Sequence, residues 1–358
     1  MKWYSYKKID KTDTTYRLII GERSNGKTYG FLKKVCEALK KEGLPSAYIR
    51  RYDVEIKASK MQKLFNGITE SGEFDKIFKG EFDEVYFYGG VFYVRKYNEN
   101  KTAVIDKKPI LYTYALNVWE HNKGADNGAV KYVCYDEFCT RGKYLSDEFI
   151  ALHQTLSSII RNRQGVIIYL LANTVNKYCP HFEEFGIGDI DKLKQGTITN
   201  FGNGIAIEYC ETTGNNSKTE YLKPFSNVQL DMLKSGAWEI KQYPHLTKSA
   251  KFDTTELLFY INFNHKTICG EIRQTPNGGL YIFYHYQTKP IDDTKDQIKF
   301  NQIPTTNPLD SVNIMKYQPT KAHKIILDLI RANKQFYQTN EVGEIVRNWL
   351  LWQGVIAG

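Results

Sequence analysis

Thr15-Tyr16-Arg17-Leu18-Ile19-Ile20 is followed directly by Gly21-Glu22-Arg23-Ser24-Asn25-Gly26-Lys27-Thr28, and that by the pattern from Tyr29 to Leu39. The first run has the β-branched and apolar character of a strand. The octapeptide fits G-x-x-x-x-G-K-[ST], in which glycines let the chain turn sharply and aim successive N–H groups and a helix N-terminus at phosphates. Lys27 to Leu39 reads as a helix with Phe31, Val35 and Leu39 on one face. A plain glycine turn is the alternative, and the position between an apolar strand and an amphipathic helix argues against it. Gly21, Arg23, Ser24, Asn25, Gly26, Lys27, Thr28 and Tyr29 are therefore expected to bind ATP. In that set Lys27 reaches the β and γ phosphates and Thr28 offers its hydroxyl to Mg²⁺.

Working outward, residues 1 to about 212 alternate strand-like and helical patterns, which predicts an α/β domain built on a parallel sheet with helices on both faces. Ala47 to Arg50 reads as a second strand, and Val130–Tyr135 and Val166–Ala172 are apolar runs typical of strands buried on both sides. Glu84 to Arg95 reads as a hairpin around Gly89-Gly90, inserted between the main strands. Ser146 or Asp147 caps a helix that turns Phe149, Leu152, Leu156 and Ile159/Ile160 inward.

The run Val133-Cys134-Tyr135 ends in Asp136-Glu137. Asp136 is placed to hold Mg²⁺ and Glu137 to polarise an attacking water. The next strand ends in Asn173, either a catalytic hydrogen-bonding residue or a strand-end turn residue. Phosphoryl transfer also needs positive charge on the γ-phosphate oxygens. Arg161 and Arg163 end the helix before that strand, where the helix dipole alone also favours arginine; Arg23 is an alternative within the loop. Arg50 and Arg51 end the second strand and could touch nucleotide, a neighbour or nucleic acid.

The 358 residues carry 49 Lys and Arg against 40 Asp and Glu, a net +9 spread over both halves. This fits a polyanionic partner without naming one. Hydrophobic residues make up 42% and charged residues 25%, the balance of a globular protein. No apolar run approaches the roughly 20 residues a membrane span takes, and the first residues lack the apolar core of a signal peptide. The six cysteines include no C-x-x-C pair and read as buried thiols. Residues 213–250 read as a linker. Residues 251–358 form a smaller α+β domain, with strands at Leu257–Phe263, Thr267–Arg273 and Leu280–Tyr286 followed by two helical patterns.

With these residues in place, the sequence resembles the DNA-packaging motor ATPases of small phi29-like tailed phages, relatives of the large terminases and of FtsK/HerA-type translocases. The stretches that carry the resemblance are Ile20 to Tyr29, Tyr48 to Tyr52, Tyr135 to Phe138, Ile160 to Arg163 and Ala172 to Val175, in family order, with a weaker continuation from Leu257 to Tyr286. The resemblance implies a P-loop NTPase of the ASCE/RecA-like type in a homo-oligomeric ring, with a pentamer expected. Such a ring docks on the portal vertex of a prohead in the host cytoplasm, in phi29 itself through a structural RNA, and drives double-stranded DNA inward. It places a trans-acting arginine finger at Arg161. It also makes the last domain similar to an RNase H-type nuclease that has lost its acids.

The residues agree with that loss. Two-metal nucleases of this kind need a carboxylate inside the first strand. Leu257–Phe263 has none, and Glu271 and Asp292/Asp293 form no convincing cluster. Two features depart from the family: Asp53 replaces a basic residue after Arg50-Arg51-Tyr52, and no glutamine near the N-terminus is available to read adenine. Lys57 and Lys60 become the DNA-gripping candidates beside Arg51, with a solvated helix surface as their plainer role. A helicase-like ATPase, a scaffold with a vestigial nucleotide site, and a small-molecule kinase are the competing readings.

Overall fold

The computed structural model describes residues 3–122, 128–145, 147–174, 179–187, 190–211, 242–246, 253–263, 266–287, 297–302 and 304–356. The chain forms two compact units, residues 1–140 with 145–239, and residues 141–144 with 240–358.

In the first unit β1 (Tyr16–Gly21) leads through the glycine loop into α1 (Lys27–Glu42), and β2 (Ser46–Arg50) follows. Three short helices come next, α2 (Ala58–Met61), α3 (Asn66–Glu70) and α4 (Glu73–Phe78). After them run β3 (Glu84–Tyr88), β4 (Val91–Tyr97), β5 (Val104–Ala115), β6 (Tyr132–Asp136), α5 (Glu148–Ile160), β7 (Ile167–Asn173), α6 (Pro180–Glu184), β8 (Thr197–Gly202) and β9 (Ile205–Tyr209). One nine-stranded sheet has the order β3-β4-β5-β2-β6-β7-β1-β9-β8. The six central strands are parallel, and antiparallel strands extend it at both edges.

The expected parallel strands β1, β2, β6 and β7 are all present, and almost every residue in them is buried. Each fully buried Leu or Ile there removes apolar surface worth roughly 1.5–3 kcal/mol. The hairpin also forms as read: Gly89 and Gly90 both have positive φ, as a two-residue turn matched to strand twist requires. It is joined to the parallel strands by β5, which the sequence reading did not anticipate; nor did it anticipate β8 or β9. One detail differs at α5. Asp147 occupies the position before the helix with φ +55 and makes no side-chain cap; Ser146 lies outside the described residues.

The second unit contains β10 (Thr254–Phe263), β11 (Lys266–Gln274), β12 (Leu280–Tyr286), β13 (Ile298–Asn301), α7 (Lys321–Arg331), β14 (Gln335–Tyr337) and α8 (Asn340–Gln353). Its sheet order is β13-β10-β11-β12-β14. β10, β11 and β12 form an antiparallel meander, and β13 joins parallel to β10. This much suits an RNase H-type sheet. The last strand does not, because the three-residue β14 pairs with β12 at the opposite edge instead of extending beyond β13. Phe259, Ile261, Ile282, Tyr284 and Phe300 meet Ile326, Ile330, Val346 and Trp349 in one core.

Most of the expected linker, and Asp292/Asp293, lie outside the described residues. Residues 242–246 are part of the second unit: the Tyr337 amide donates to the Pro244 carbonyl, and Leu246 donates back to Tyr337. Glu271 is bound by Arg273 and His285. All six cysteines are free and buried. Among the described residues no helix is long and apolar enough to cross a membrane.

Candidate active site

Parallel register brings the chemistry-bearing residues to one edge of the sheet. Gly21 lies opposite Asn173, Asp136 opposite Leu171, and Ile49 opposite Tyr135, so β1, β7, β6 and β2 end level. β7 stands between the loop-bearing β1 and the acidic β6. The loop crosses this edge with Ser24 at φ +61 and Gly26 at φ +93, conformations that L side chains adopt at a cost. Gly26 stands immediately before α1 without a side-chain cap; the Lys27 amide donates to Asn25 Oδ1 at 3.3 Å, and the N–H groups after it are those that the start of a helix offers an anion.

A cleft of about 360 Å³ opens there, lined by Trp3, the loop from Arg23 to Tyr29, Asp136, Glu137, Ala172 and Asn173. Lys27 is buried, and its Nζ donates to the Glu22 carbonyl (2.8 Å), Asn25 Oδ1 (3.1 Å) and Asn173 Oδ1 (3.3 Å). Burial lowers the Lys27 pKa below the ordinary lysine range, against Cys210, Asp136, Glu22 and Glu137, which favour the charged form. The Thr28 hydroxyl donates to Asp136 Oδ2 at 2.8 Å, and Tyr48 donates to the same oxygen at 2.7 Å. A hydroxyl beside a carboxylate suits a hard divalent cation such as Mg²⁺. Lys27, Thr28, Asp136, Glu137 and Asn173 thus share one cleft with the loop.

Glu137 has φ +61, a strained conformation of the kind found at functional sites. Its carboxylate accepts from Arg50 Nη2 at 2.6 Å, and Arg50 also pairs with Glu55. Tyr48 and Arg50 are two apart on β2 and so point the same way. That period-two spacing was the available signal for their joint role; the sequence reading had not singled out Tyr48.

Arg51 corrects an expectation. It is buried, donating to both carboxylate oxygens of Glu148 and to the Glu137 and Phe138 carbonyls. A guanidinium bound inside the fold does not suit a nucleic-acid contact; it holds the backbone that carries Glu137. Glu148 also accepts from Tyr135 and meets His181 Nε2 at 2.8 Å. Burial works to raise its pKa, but His181 and Arg51 prevail and hold it down at about 2.

Arg161 is outside the cleft. α5 runs from the carboxyl end of β6 back to the amino end of β7, and thirteen residues of helix span about 20 Å. Exposed Arg161, at its end, therefore lies toward the edge of the sheet opposite the loop. Arg163 reaches the Ile159 carbonyl, and Arg23 is exposed at the cleft. Lys57 and Lys60 are exposed on and beside α2.

A phosphate loop entering a helix, a carboxylate at the end of the strand two positions over, and one further strand between them define a P-loop NTPase fold. Residues 1–288 match the podovirus DNA encapsidation protein (Gp16) family, and the chain belongs to it. The DNA packaging protein of Bacillus phage phi29 is 27% identical over 194 residues, covering 53% of this chain and 52% of that protein. That of Bacillus phage B103 is 27% identical over 184 residues, 50% and 51% of the two chains. The chain thus spans about half the length of the curated relatives it matches. Among solved structures, the phi28 gp11 DNA packaging motor matches 99% of both chains at TM-score 0.59 and 21% identity. The bacteriophage phi29 viral genome packaging motor assembly matches 99% of this chain and all of the other at TM-score 0.61 and 17% identity. These likenesses extend the fold assignment through the second unit.

Proposed function

We propose that this chain is the ATP-hydrolysing motor subunit that moves double-stranded viral DNA into a preformed prohead. The observation that carries the reading is the meeting of Lys27, Thr28, Asp136, Glu137 and Asn173 in one cleft of a DNA encapsidation family member. Thr28 and Asp136 would hold Mg²⁺, which when bound neutralises charge on the β and γ phosphates. Lys27 exchanges its loop carbonyls for phosphate oxygens. Glu137, released from Arg50, orients the attacking water, and Asn173 hydrogen-bonds it or the γ-phosphate.

Arg161 lies too far from its own loop to serve it, which supports a finger acting on the next subunit of a ring, proposed as a pentamer. Lys57 and Lys60 follow the strand that carries Arg50, and are proposed to grip DNA through its phosphates, as a motor indifferent to sequence requires. The second unit is proposed as a vestigial RNase H-like domain that binds nucleic acid or prohead components, with portal protein and a structural RNA as partners. The ring would work in the host cytoplasm, docked transiently on the prohead.

Steady-state ATP hydrolysis with and without duplex DNA, over a range of protein concentrations and beside Arg161→Ala, tests this. Activity that rises more than proportionally with concentration, increases with DNA and is lost in the variant supports the ring motor. Activity linear in protein, indifferent to DNA and retained in the variant rejects it in favour of a self-contained ATPase or kinase.

A further inference from the structure

Asp136 is held at both of its oxygens. Oδ1 accepts from the Glu137 amide at 3.0 Å. Oδ2 accepts from two hydroxyls, Thr28 at 2.8 Å and Tyr48 at 2.7 Å. These hydroxyls differ in where they stand. Thr28 lines the cleft, whereas Tyr48 is only 2% exposed and belongs to the core of the first unit. Parallel pairing sets Tyr48 opposite Cys134, two residues short of Asp136 on β6. Arg50, two residues further along β2, approaches both acids. Its Nη2 donates to Glu137 Oε2 at 2.6 Å, but its Nη1 stops 3.9 Å from Asp136 Oδ2, beyond hydrogen-bond reach. The guanidinium thus engages one of two adjacent carboxylates, and the Tyr48 hydroxyl sits on the oxygen of the other.

We infer that Tyr48 is a positioning residue for the metal-binding carboxylate, reserving Asp136 for Mg²⁺ by keeping Arg50 on Glu137. The inference rests on the nucleotide reading above and adds the residue that divides its two acids. Thr28 is itself proposed as a ligand, so Tyr48 is the hydroxyl on Oδ2 with no other task. A neutral donor fixes a carboxylate without cancelling its charge. A guanidinium in the same place would form a strong charge-assisted bond and compete with a divalent cation. Removing the hydroxyl leaves a buried carboxylate oxygen short of a donor, with Arg50 close enough to replace it.

Tyr48→Phe removes the hydroxyl and keeps the ring in the core. A non-hydrolysable ATP analogue would be titrated calorimetrically into the full chain with excess Mg²⁺ and again with EDTA, thermal unfolding serving as the folding control. The ratio of the two affinities reads the contribution of the cation apart from that of the phosphate loop. In Tyr48→Phe this ratio is expected to fall about ten-fold, with metal-free binding unchanged. Tyr48→Phe/Arg50→Ala should recover it to within about three-fold, and Arg50→Ala alone should leave it as in the wild type. Equal weakening of both titrations in Tyr48→Phe would make the hydroxyl a general support of the fold and overturn the inference. An unchanged ratio in Tyr48→Phe would overturn it too, as would a double variant no better than the single one. A ratio that rises in Arg50→Ala alone would show that Tyr48 does not screen Asp136. A wild type indifferent to Mg²⁺ would reject Thr28 and Asp136 as the metal site, and this role with it. Failure of the wild type to bind in either titration would reject the nucleotide reading itself.

Discussion

The Arg50 guanidinium donates to Glu137 Oε2 at 2.6 Å while also pairing with Glu55. A carboxylate so engaged is turned toward the guanidinium and must be released before it can orient a water. The proposed water-activating group is thus tied up by a residue at the end of the strand that leads into the Lys57–Lys60 segment.

Arg50→Ala removes that cation without touching the phosphate loop. Hydrolysis in the absence of DNA is expected to rise several-fold, with ATP affinity changed by less than about three-fold. Parallel assays with and without duplex check this. A fall to the level of Glu137→Gln would instead make Arg50 part of the hydrolytic apparatus.

Glu148→Ala leaves the Arg51 guanidinium buried beside Tyr135 and His181 without its carboxylate. Breaking a buried pair on one side costs about 3–5 kcal/mol, and chemical denaturation should show a loss of that size. The Glu137 turn should loosen too, since Arg51 holds its carbonyl at 3.2 Å.

The same carboxylate predicts a pH dependence. Its pKa is depressed in the folded state to about 2. Its contribution is therefore complete above the ordinary glutamate value and is lost as pH falls toward 2. On the order of 3 kcal/mol should disappear over that window. Glu148→Gln should flatten this part of the stability profile; a profile unchanged in the variant would place the acid sensitivity elsewhere.

Gly26→Ala puts a side chain at φ +93 and within 3.0 Å of Trp3. The backbone strain is about 1–3 kcal/mol, and the loop must shift to relieve it. ATP should bind more weakly, and calorimetric titration of the variant beside the wild type checks this.

The parts of the fold that could be read from the chain are those whose signals are local. β1, the loop and α1 are consecutive, so strand pattern, glycines and helix periodicity reinforce one another. β6 and β7 stand out because burial on both faces leaves unbroken apolar runs. β5 begins Val104-Ile105-Asp106-Lys107-Lys108-Pro109, where exposed edge residues and a proline hide the buried second half. β14 has three residues, too few for any periodicity. Asp136, Glu137 and Asn173 were legible as strand ends. Trp3 was not, because a segment folding back onto a loop more than twenty residues later leaves no periodic trace. Arg51 was misread for a related reason: it directly follows Arg50, the last residue of β2, and neighbouring residues of extended chain point to opposite sides, so Arg50 meets Glu137 while Arg51 is buried against Glu148.

If Arg161 serves a neighbour as proposed, its position gives each chain a donor end and an acceptor end. Under the proposed ring, a Lys27→Ala chain has an idle cleft but still lends a competent arginine, and an Arg161→Ala chain does the reverse. Neither protein alone should then turn over, yet a mixture would contain junctions at which an intact cleft faces an intact arginine. Blending two inactive preparations should therefore regenerate hydrolysis. In the proposed ring the interface that permits it would join unlike surfaces, head to tail, and the orientation of each neighbour would follow from a single chain.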